Sequence, residues 1–362
     1  MFDLTPVIPS KVSTSPQSRQ TRRVALLPNP GQMRNQLPVT AQVARTVAQA
    51  RREIRDVLHG RDPERLVVVV GPCSIHDPDA ALEYAERLRR VGEATRGQLV
   101  VVMRTYVEKP RSRGGWKGFL NDPQLDDSCQ IETGLQRARE LLLAINELGV
   151  PCASEVLDPF ATPYLEDLLS WAAIGARTVE SQVHRQLASG LAMPVGLKNG
   201  TGGCLEVALN ALAAARQPQS FLCLDDSGAP AVIRSPGNPD CHIVLRGGGG
   251  MPNYDPDFVR SAAALASRHG PARPIWVDCS HDNSRRDHRR QGRVLREVLD
   301  QLEAGQQAIG GILLESNLEA GRQAWAPGIE LARGVSITDA CIGWSESEAL
   351  LLEAARRLKG GR

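Results

Sequence analysis

With 362 residues, 42% of them hydrophobic, the chain can bury one large core, and its net charge of +2 supplies no overall field for nucleic acid or a membrane surface. No apolar run approaches the ~18 residues that span a bilayer, and no apolar segment with a cleavage site follows Met1, so the chain reads as cytoplasmic. The eight cysteines are scattered, with no CxxC pair, as expected of reduced thiols.

Residues 1–23 are rich in Ser, Pro, Gln and Arg and read as a disordered tail. No acidic residue occurs from Leu4 to Arg52, but the prolines argue for a plain tail over an organelle transit peptide. Residues 24–62 form an N-terminal arm for regulation or assembly, with a short strand expected at Val24–Leu27 and a helix over Thr40–Leu58 ended by Gly60. A catalytic domain follows over residues 63–360. In it, short apolar runs at Leu66–Val70, Leu99–Met103, Cys152–Ser154, Ala172–Ala176, Pro194–Leu197, Ile243–Leu245, Ile275–Val277 and Ile309–Leu314 alternate with helix-like stretches. Asp77-Pro78-Asp79 supplies a helix cap and first-turn proline. Leu135, Ala138, Leu141, Leu142 and Ile145 recur at helical spacing up to Gly149, and Asp257–Arg268, Gln291–Leu302 and Glu346–Leu358 are further helices. Phe221–Leu224, a turn at Asp225–Gly228 and Ala231–Ile233 read as a β-hairpin inserted over residues 221–236.

The pattern predicts a (β/α)8 barrel of the TIM type, whose chemistry lies at the C-terminal ends of its strands. Those ends carry Cys73, Arg104, Glu155, Arg177, Lys198, Arg246, Asp278 with His281, and Glu315, and packing alone does not call for ionisable groups there. Cys73, His281, Glu315 and Asp339 follow the first, seventh and eighth runs, which become neighbours when a barrel closes. One thiol, one imidazole and two carboxylates suit a borderline divalent metal over Mg or Ca. Taken one at a time, Cys73 reads as core and Asp339 as a helix cap; it is the barrel that brings them together. Arg104, Lys109, Arg111, Arg177, Lys198 and Arg246 around one cavity imply a partner with several negative charges. Lys109-Pro110-Arg111-Ser112 reads as a phosphate clamp. Of 43 basic residues only Lys11, Lys109, Lys117, Lys198 and Lys359 are lysine, and three of them fall in these segments. The glycines of Gly114-Gly115, Gly202-Gly203 and Gly247–Gly250 permit close backbone approach to a ligand. His242, four residues before Arg246, shares its strand face and reads as a site residue or a core residue.

Several segments carry a specific resemblance. They are Gly71-Pro72-Cys73-Ser74-Ile75-His76-Asp77-Pro78, Glu108-Lys109-Pro110-Arg111, Gly115-Trp116-Lys117-Gly118, Gly175-Ala176-Arg177-Thr178, Glu180-Ser181-Gln182-Val183-His184-Arg185, Lys198-Asn199-Gly200-Thr201, Leu245-Arg246-Gly247-Gly248, Asp278-Cys279-Ser280-His281 and Ser336-Ile337-Thr338-Asp339-Ala340-Cys341. In this order, from about Leu27 to Leu358, the chain resembles the type I 3-deoxy-D-arabino-heptulosonate 7-phosphate (DAHP) synthases. The resemblance implies condensation of phosphoenolpyruvate (PEP) with erythrose 4-phosphate and water to DAHP and phosphate, the first step of the shikimate route to aromatic amino acids. It implies one divalent metal per subunit (Mn, Fe, Zn or Co) on Cys73, His281, Glu315 and Asp339. It places PEP on Arg104, Glu155, Arg177, Lys198 and Arg246, and erythrose 4-phosphate on Lys109, Pro110, Arg111, Ser112 and Asp339. Lys109, Glu155, Cys73 and His184 are the expected catalytic residues, His184 as a second proton-transfer candidate.

The resemblance further implies a homodimer or homotetramer inhibited by an aromatic amino acid bound among arm, hairpin and barrel helices. Pro159 and Met193-Pro194 favour Tyr. Some positions depart from the commonest pattern. Ser112 stands for Thr, Gly202 for Asp and Pro163 for Gln, and Gly249-Gly250 lengthen a loop. Two alternatives are a 3-deoxy-octulosonate 8-phosphate synthase, which the Lys109–Ser112 segment disfavours, and a non-catalytic amino-acid-sensing paralogue, which the intact set of site residues disfavours.

Overall fold

A computed structural model describes residues 24–359; the tail read at 1–23 lies outside the described residues. Ten strands form: β1 (Leu66–Gly71), β2 (Leu99–Arg104), β3 (Cys152–Glu155), β4 (Leu169–Ile174), β5 (Val195–Lys198), β6 (Gln219–Leu224), β7 (Pro230–Ser235), β8 (His242–Leu245), β9 (Ile275–Asp278) and β10 (Ile309–Glu315). The helices are α1 (Pro30–Gln36), α2 (Ala41–Leu58), α3 (Pro78–Thr95), α4 (Ile131–Glu147), α5 (Thr162–Leu165), α6 (Gln182–Gly190), α7 (Glu206–Ala215), α8 (Pro256–Ala266), α9 (Gln291–Glu303) and α10 (Trp344–Leu358). All strands but β6 and β7 close into a parallel barrel in the order β1-β2-β3-β4-β5-β8-β9-β10, with β10 paired back to β1. The chain is therefore an eight-stranded (β/α) barrel, with β6 and β7 as a separate antiparallel hairpin.

The continuous apolar runs work because both faces of each strand are covered. In β1, Val67 and Val69 point into the barrel with Val100, Val102, Ala153, Ala173 and Leu313. Leu66, Val68 and Val70 point the other way, into the layer beneath the helices. This is the period of two imposed by the pleat. Helix α2 closes the N-terminal end of the barrel, putting Ile54, Val57 and Leu58 into the interior cluster. Thr40 caps it by accepting from Val43 N. Beneath α2, Trp171 and Trp276 stack at 5.2 Å and His242 lies 4.5 Å from the Trp276 ring. His242 bonds to Trp171 Nε1 (3.2 Å) and to the Asp240 carbonyl (3.1 Å), so it is a core residue remote from the strand C-termini.

Three sequence expectations change. Val24–Leu27 forms no strand; the segment is exposed and has no sheet partner. The fourth barrel strand starts at Leu169, three residues before the apolar run suggested, and ends before Gly175. The inward Trp171 and buried Ser170 belong to it, although Ser170 breaks the apolar pattern. The helix expected to run to Arg268 finishes at Ala266 and tightens into a 3-10 turn. Helices α1, α5, α6 and α7 leave no clear periodicity in the sequence, since each is short and α7 is apolar on most faces. At the arm, Gly31 N donates to the Asp226 carbonyl in the hairpin turn (2.9 Å), Arg34 pairs with Asp226, and Tyr164 donates to the Pro28 carbonyl (2.8 Å).

Candidate active site

The strand ends surround a cavity of about 430 Å³. Arg104, Lys109, Pro110, Glu155, Arg177, Lys198, Arg246, His281, Glu315 and Asp339 all reach its wall. Cys73 lies directly beneath, fully buried, in the turn after β1.

One side of the cavity gathers soft and hard donors. β1, β10 and β9 are neighbours, so the turn after β1, the end of β10 and the loop after β9 converge. Donor atoms of Cys73, Glu315 and Asp339 all lie within 4.8 Å of one another. Cys73 Sγ is 3.5 Å from Asp339 Oδ2, and His281 Nε2 is 3.8 Å from Glu315 Oε1. Ligand atoms on a tetrahedral ion with bonds of ~2.0–2.3 Å lie roughly 3.3–3.8 Å apart, so Cys73, Glu315 and Asp339 form a candidate metal site, with His281 Nε2 beside Glu315. Burial pushes the Cys73 thiol up to about 12, with Glu315 adding to the effect and Lys109 opposing it. A metal therefore has to displace that proton.

The other donors are held by their neighbours. Lys109 Nζ lies 3.1 Å from Cys73 Sγ and 3.1 Å from its carbonyl. Burial would lower its pKa, but the thiol and the Asp339 and Glu315 carboxylates more than offset this and keep it charged. Burial would likewise raise Asp339, yet Lys109 and His281 hold it below the usual range. Glu315 is fixed at both backbone atoms by one side chain: Gln291 Nε2 donates to its carbonyl (2.9 Å), and its N–H donates to Gln291 Oε1 (2.8 Å). Arg104 Nη2 then pairs with Glu315 Oε1 at 3.1 Å.

Cations form much of the rest of the wall. Each is partly compensated. Lys198 Nζ sits 2.8 Å from Asp278 Oδ2, Arg246 Nη1 lies 3.2 Å from Asp282 Oδ2, and Arg104 stacks over the Tyr106 ring at 4.0 Å. Burial tends to discharge Lys198, and Asp278 reverses this. Glu155 lies over Gly175, where any side chain would collide with its carboxylate. Arg104 Nη1, the Tyr106 hydroxyl and Glu155 Oε1 are buried without a protein partner. All three belong to the cavity wall. Orphaned buried polar atoms are costly, and a bound polar ligand satisfies them.

Three expected residues stand elsewhere. Arg111 and Ser112 are exposed, with the Arg111 guanidinium lying against Gly115 and Ser112 Oγ accepting from Arg177 Nε (3.2 Å). His184, on α6, bonds to the Leu157 carbonyl (2.7 Å) and Ser181 Oγ (2.9 Å) and is not among the cavity-lining residues. Nε2 ties α6 to the loop after β3 and Nδ1 bonds the residue that caps α6, so both ring nitrogens have partners outside the cavity. Conversely, Tyr106, Gln291, Arg286 and Arg322 line the cavity and were not foreseen. The run Arg285-Arg286 beside His281 was a readable signal; a lone Tyr or Gln was not.

Comparison with known proteins agrees in order and extent. Residues 36–352 match the DAHP synthetase I family. The chain is 48% identical over 336 residues to the Tyr-sensitive phospho-2-dehydro-3-deoxyheptonate aldolase of Escherichia coli K12, covering 92% of this chain and 94% of that one. It is 49% identical over 337 residues to the Phe-sensitive enzyme of the same organism, covering 93% and 95%. Its fold matches the structure of the phospho-2-dehydro-3-deoxyheptonate aldolase of Francisella tularensis SCHU S4 with a TM-score of 0.91 at 40% identity, over 94% of this chain and 99% of that chain.

Proposed function

The chain belongs to the DAHP synthetase I family and condenses PEP with D-erythrose 4-phosphate and water to DAHP and phosphate, and we propose how its own side chains carry out that reaction. The observation that supports the assignment is one cavity in which cations from four strand ends face a thiol–imidazole–dicarboxylate set. PEP carries a phosphate and a carboxylate. Arg104, Arg177, Lys198 and Arg246 take these groups, and charge-assisted hydrogen bonds orient the enol with C3 toward the second substrate. Lys109, Pro110, Arg111 and Ser112 receive erythrose 4-phosphate, Arg111 and Ser112 from outside the cavity rim. Cys73, His281, Glu315 and Asp339 would hold one divalent ion (Mn, Fe, Zn or Co), which when bound supplies Lewis acidity at the aldehyde oxygen.

As C3 of PEP bonds to the aldehyde carbon, negative charge grows on the aldehyde oxygen and positive charge at C2. The Lys109 ammonium, held charged among Cys73, Asp339 and Glu315, stabilises that oxygen and delivers its proton. Glu155 faces the positive C2 and orients water toward it. Water adds at C2 and gives up one proton, which replaces the one Lys109 delivered; the remaining C2 hydroxyl passes its proton to the departing phosphate as the C–O bond breaks, leaving the C2 ketone.

The arm and hairpin meet through Gly31, Arg34 and Asp226, beside Pro163, whose carbonyl accepts from Arg34 (3.3 Å). This junction is where an aromatic amino acid would inhibit, with Tyr favoured by Pro159 and Met193-Pro194. The subunit is expected to assemble as a homodimer or homotetramer. No helix of the described residues is long and apolar enough to cross a membrane.

The test is PEP consumption by metal-stripped protein with Mn²⁺ added back and erythrose 4-phosphate or arabinose 5-phosphate as acceptor, with Tyr, Phe or Trp present in parallel. Metal-dependent turnover of the tetrose alone, suppressed most by Tyr, is expected. Preference for the pentose would overturn the acceptor assignment, and a fully active Cys73→Ala variant would overturn the metal ligand set.

A further inference from the structure

One buried carboxylate joins the two halves of the cavity. Asp278, the last residue of β9, is fully buried. Its Oδ2 lies 2.8 Å from Lys198 Nζ and 3.0 Å from His281 Nδ1. Its Oδ1 accepts from Ser280 N (3.0 Å) and Ser280 Oγ (2.7 Å). Ser280 Oγ also stands 2.6 Å from His281 Nδ1. His281 itself sits in the left-handed region, with φ of 57°. A non-glycine residue held there needs its surroundings to over-determine it, and the Asp278–Ser280 pair does so. One oxygen thus serves both a metal-side imidazole and a PEP-side ammonium.

We propose that Asp278 is a positioning residue that couples occupancy of the metal site to affinity for PEP; the proposal rests on the site assignment above. A carboxylate on the far nitrogen of a metal-binding imidazole orients the ring and raises its basicity. An ion on His281 Nε2 makes the Nδ1–H a stronger donor. Oδ2 is then drawn toward His281 and holds Lys198 less, which frees the ammonium for the anion. The converse also follows, because binding linkage is reciprocal: PEP drawing Lys198 away leaves Oδ2 to His281 and tightens the metal by the same factor. Ser280, which donates to Oδ1 and also stands against His281 Nδ1, orients both the carboxylate and the ring.

The experiment measures the PEP dissociation constant by calorimetry on metal-free and Mn²⁺-loaded protein, for wild type and Asp278→Asn. The direct attraction between ion and anion is common to both. The factor by which Mn²⁺ tightens PEP is expected to fall at least about fivefold in Asp278→Asn, within the usual range of such couplings. An unchanged factor in an Asp278→Asn protein that still binds both ligands overturns the link. Should Asp278→Asn fail to fold, a second comparison decides. Lys198→Ala leaves Oδ2 to His281 alone, so it should tighten Mn²⁺ in the absence of PEP more than Arg246→Ala does, whose cation pairs with Asp282. Equal changes overturn the proposal. Wild-type protein that binds neither ligand overturns instead the site assignment on which the link depends.

Discussion

At the C-terminal end of the barrel Arg104, Lys198, Arg246, Asp278 and Glu315 are buried as ion pairs, while at the N-terminal end the same strands surround Trp171, His242 and Trp276 beneath α2. The backbone and hydrogen-bond ladder are common to both ends. What differs is the cost of the side chains. Buried charges are paired at a desolvation penalty that their attraction barely repays, whereas stacked aromatics contribute area burial and ring contact together. The mouth is therefore where the barrel gives up stability for chemistry, and the base is where it recovers it. This comparison can be broken in either direction.

The largest expected effect is at the base. Trp276→Ala removes a ring that packs on Trp171, His242 and Gly311. Truncation of a buried Trp costs about 3–5 kcal/mol. Urea denaturation should register that loss, while PEP affinity of the folded protein stays as in wild type. A collapse of PEP binding with stability unchanged would show that the two ends are not separable.

His242 sharpens the same contrast through pH. Burial holds it down to about 4, against an ordinary value of 6.5. Between these values the unfolded chain takes up a proton that the native state refuses. Stability is thus lost as pH falls from about 6.5 toward about 4, by up to roughly 3 kcal/mol at 1.36 kcal/mol per unit. His242→Gln should flatten this part of the profile measured by chemical denaturation at pH 7, 6 and 5. A profile of equal slope in the variant would assign acid sensitivity to the mouth.

At the mouth, Gln291→Leu tests whether Glu315 depends on support from α9. The substitution keeps volume and removes both bonds to the Glu315 backbone. Loss of such outer support typically weakens metal binding 10–100-fold. A titration with Mn²⁺ should show this, with a melting temperature that moves less than that of Trp276→Ala. Unaltered metal affinity would mean that β10 alone fixes Glu315.

The ionisable strand ends were readable because each closes a continuous apolar run, and a barrel sends all such ends to one rim. That argument reached Arg104, Lys109, Glu155, Arg177, Lys198, Arg246 and Glu315 without any local motif geometry. It could not reach Gln291 or Tyr106, whose types are common in loops and helix starts and whose significance lies in a contact across 24 residues or in a stacked guanidinium. Asp278 was visible as a strand end, but its double role depends on β5 lying two strands from β9, which only the closed sheet reveals. His184 misled for the opposite reason: a histidine in a recognisable segment invites a chemical role, and its two bonds belong to packing. At Val24–Leu27, β-propensity had no partner strand to act on.

The smallest effect tests how far the base is insulated. Thr40 accepts from Val43 N and donates to Glu147, tying the start of α2 to α4. Thr40→Ala should cost about 1 kcal/mol, the usual loss for a helix cap. Helix α2 carries Ile54, Val57 and Leu58, which face the barrel interior almost four turns further on, so fraying of the first turn is spent before it reaches them. Turnover and both substrate KM values should then match wild type, with only the denaturation midpoint moved. Should kcat fall in step with stability, α2 transmits strain along the barrel axis, and the base is part of the catalytic apparatus and not only its support.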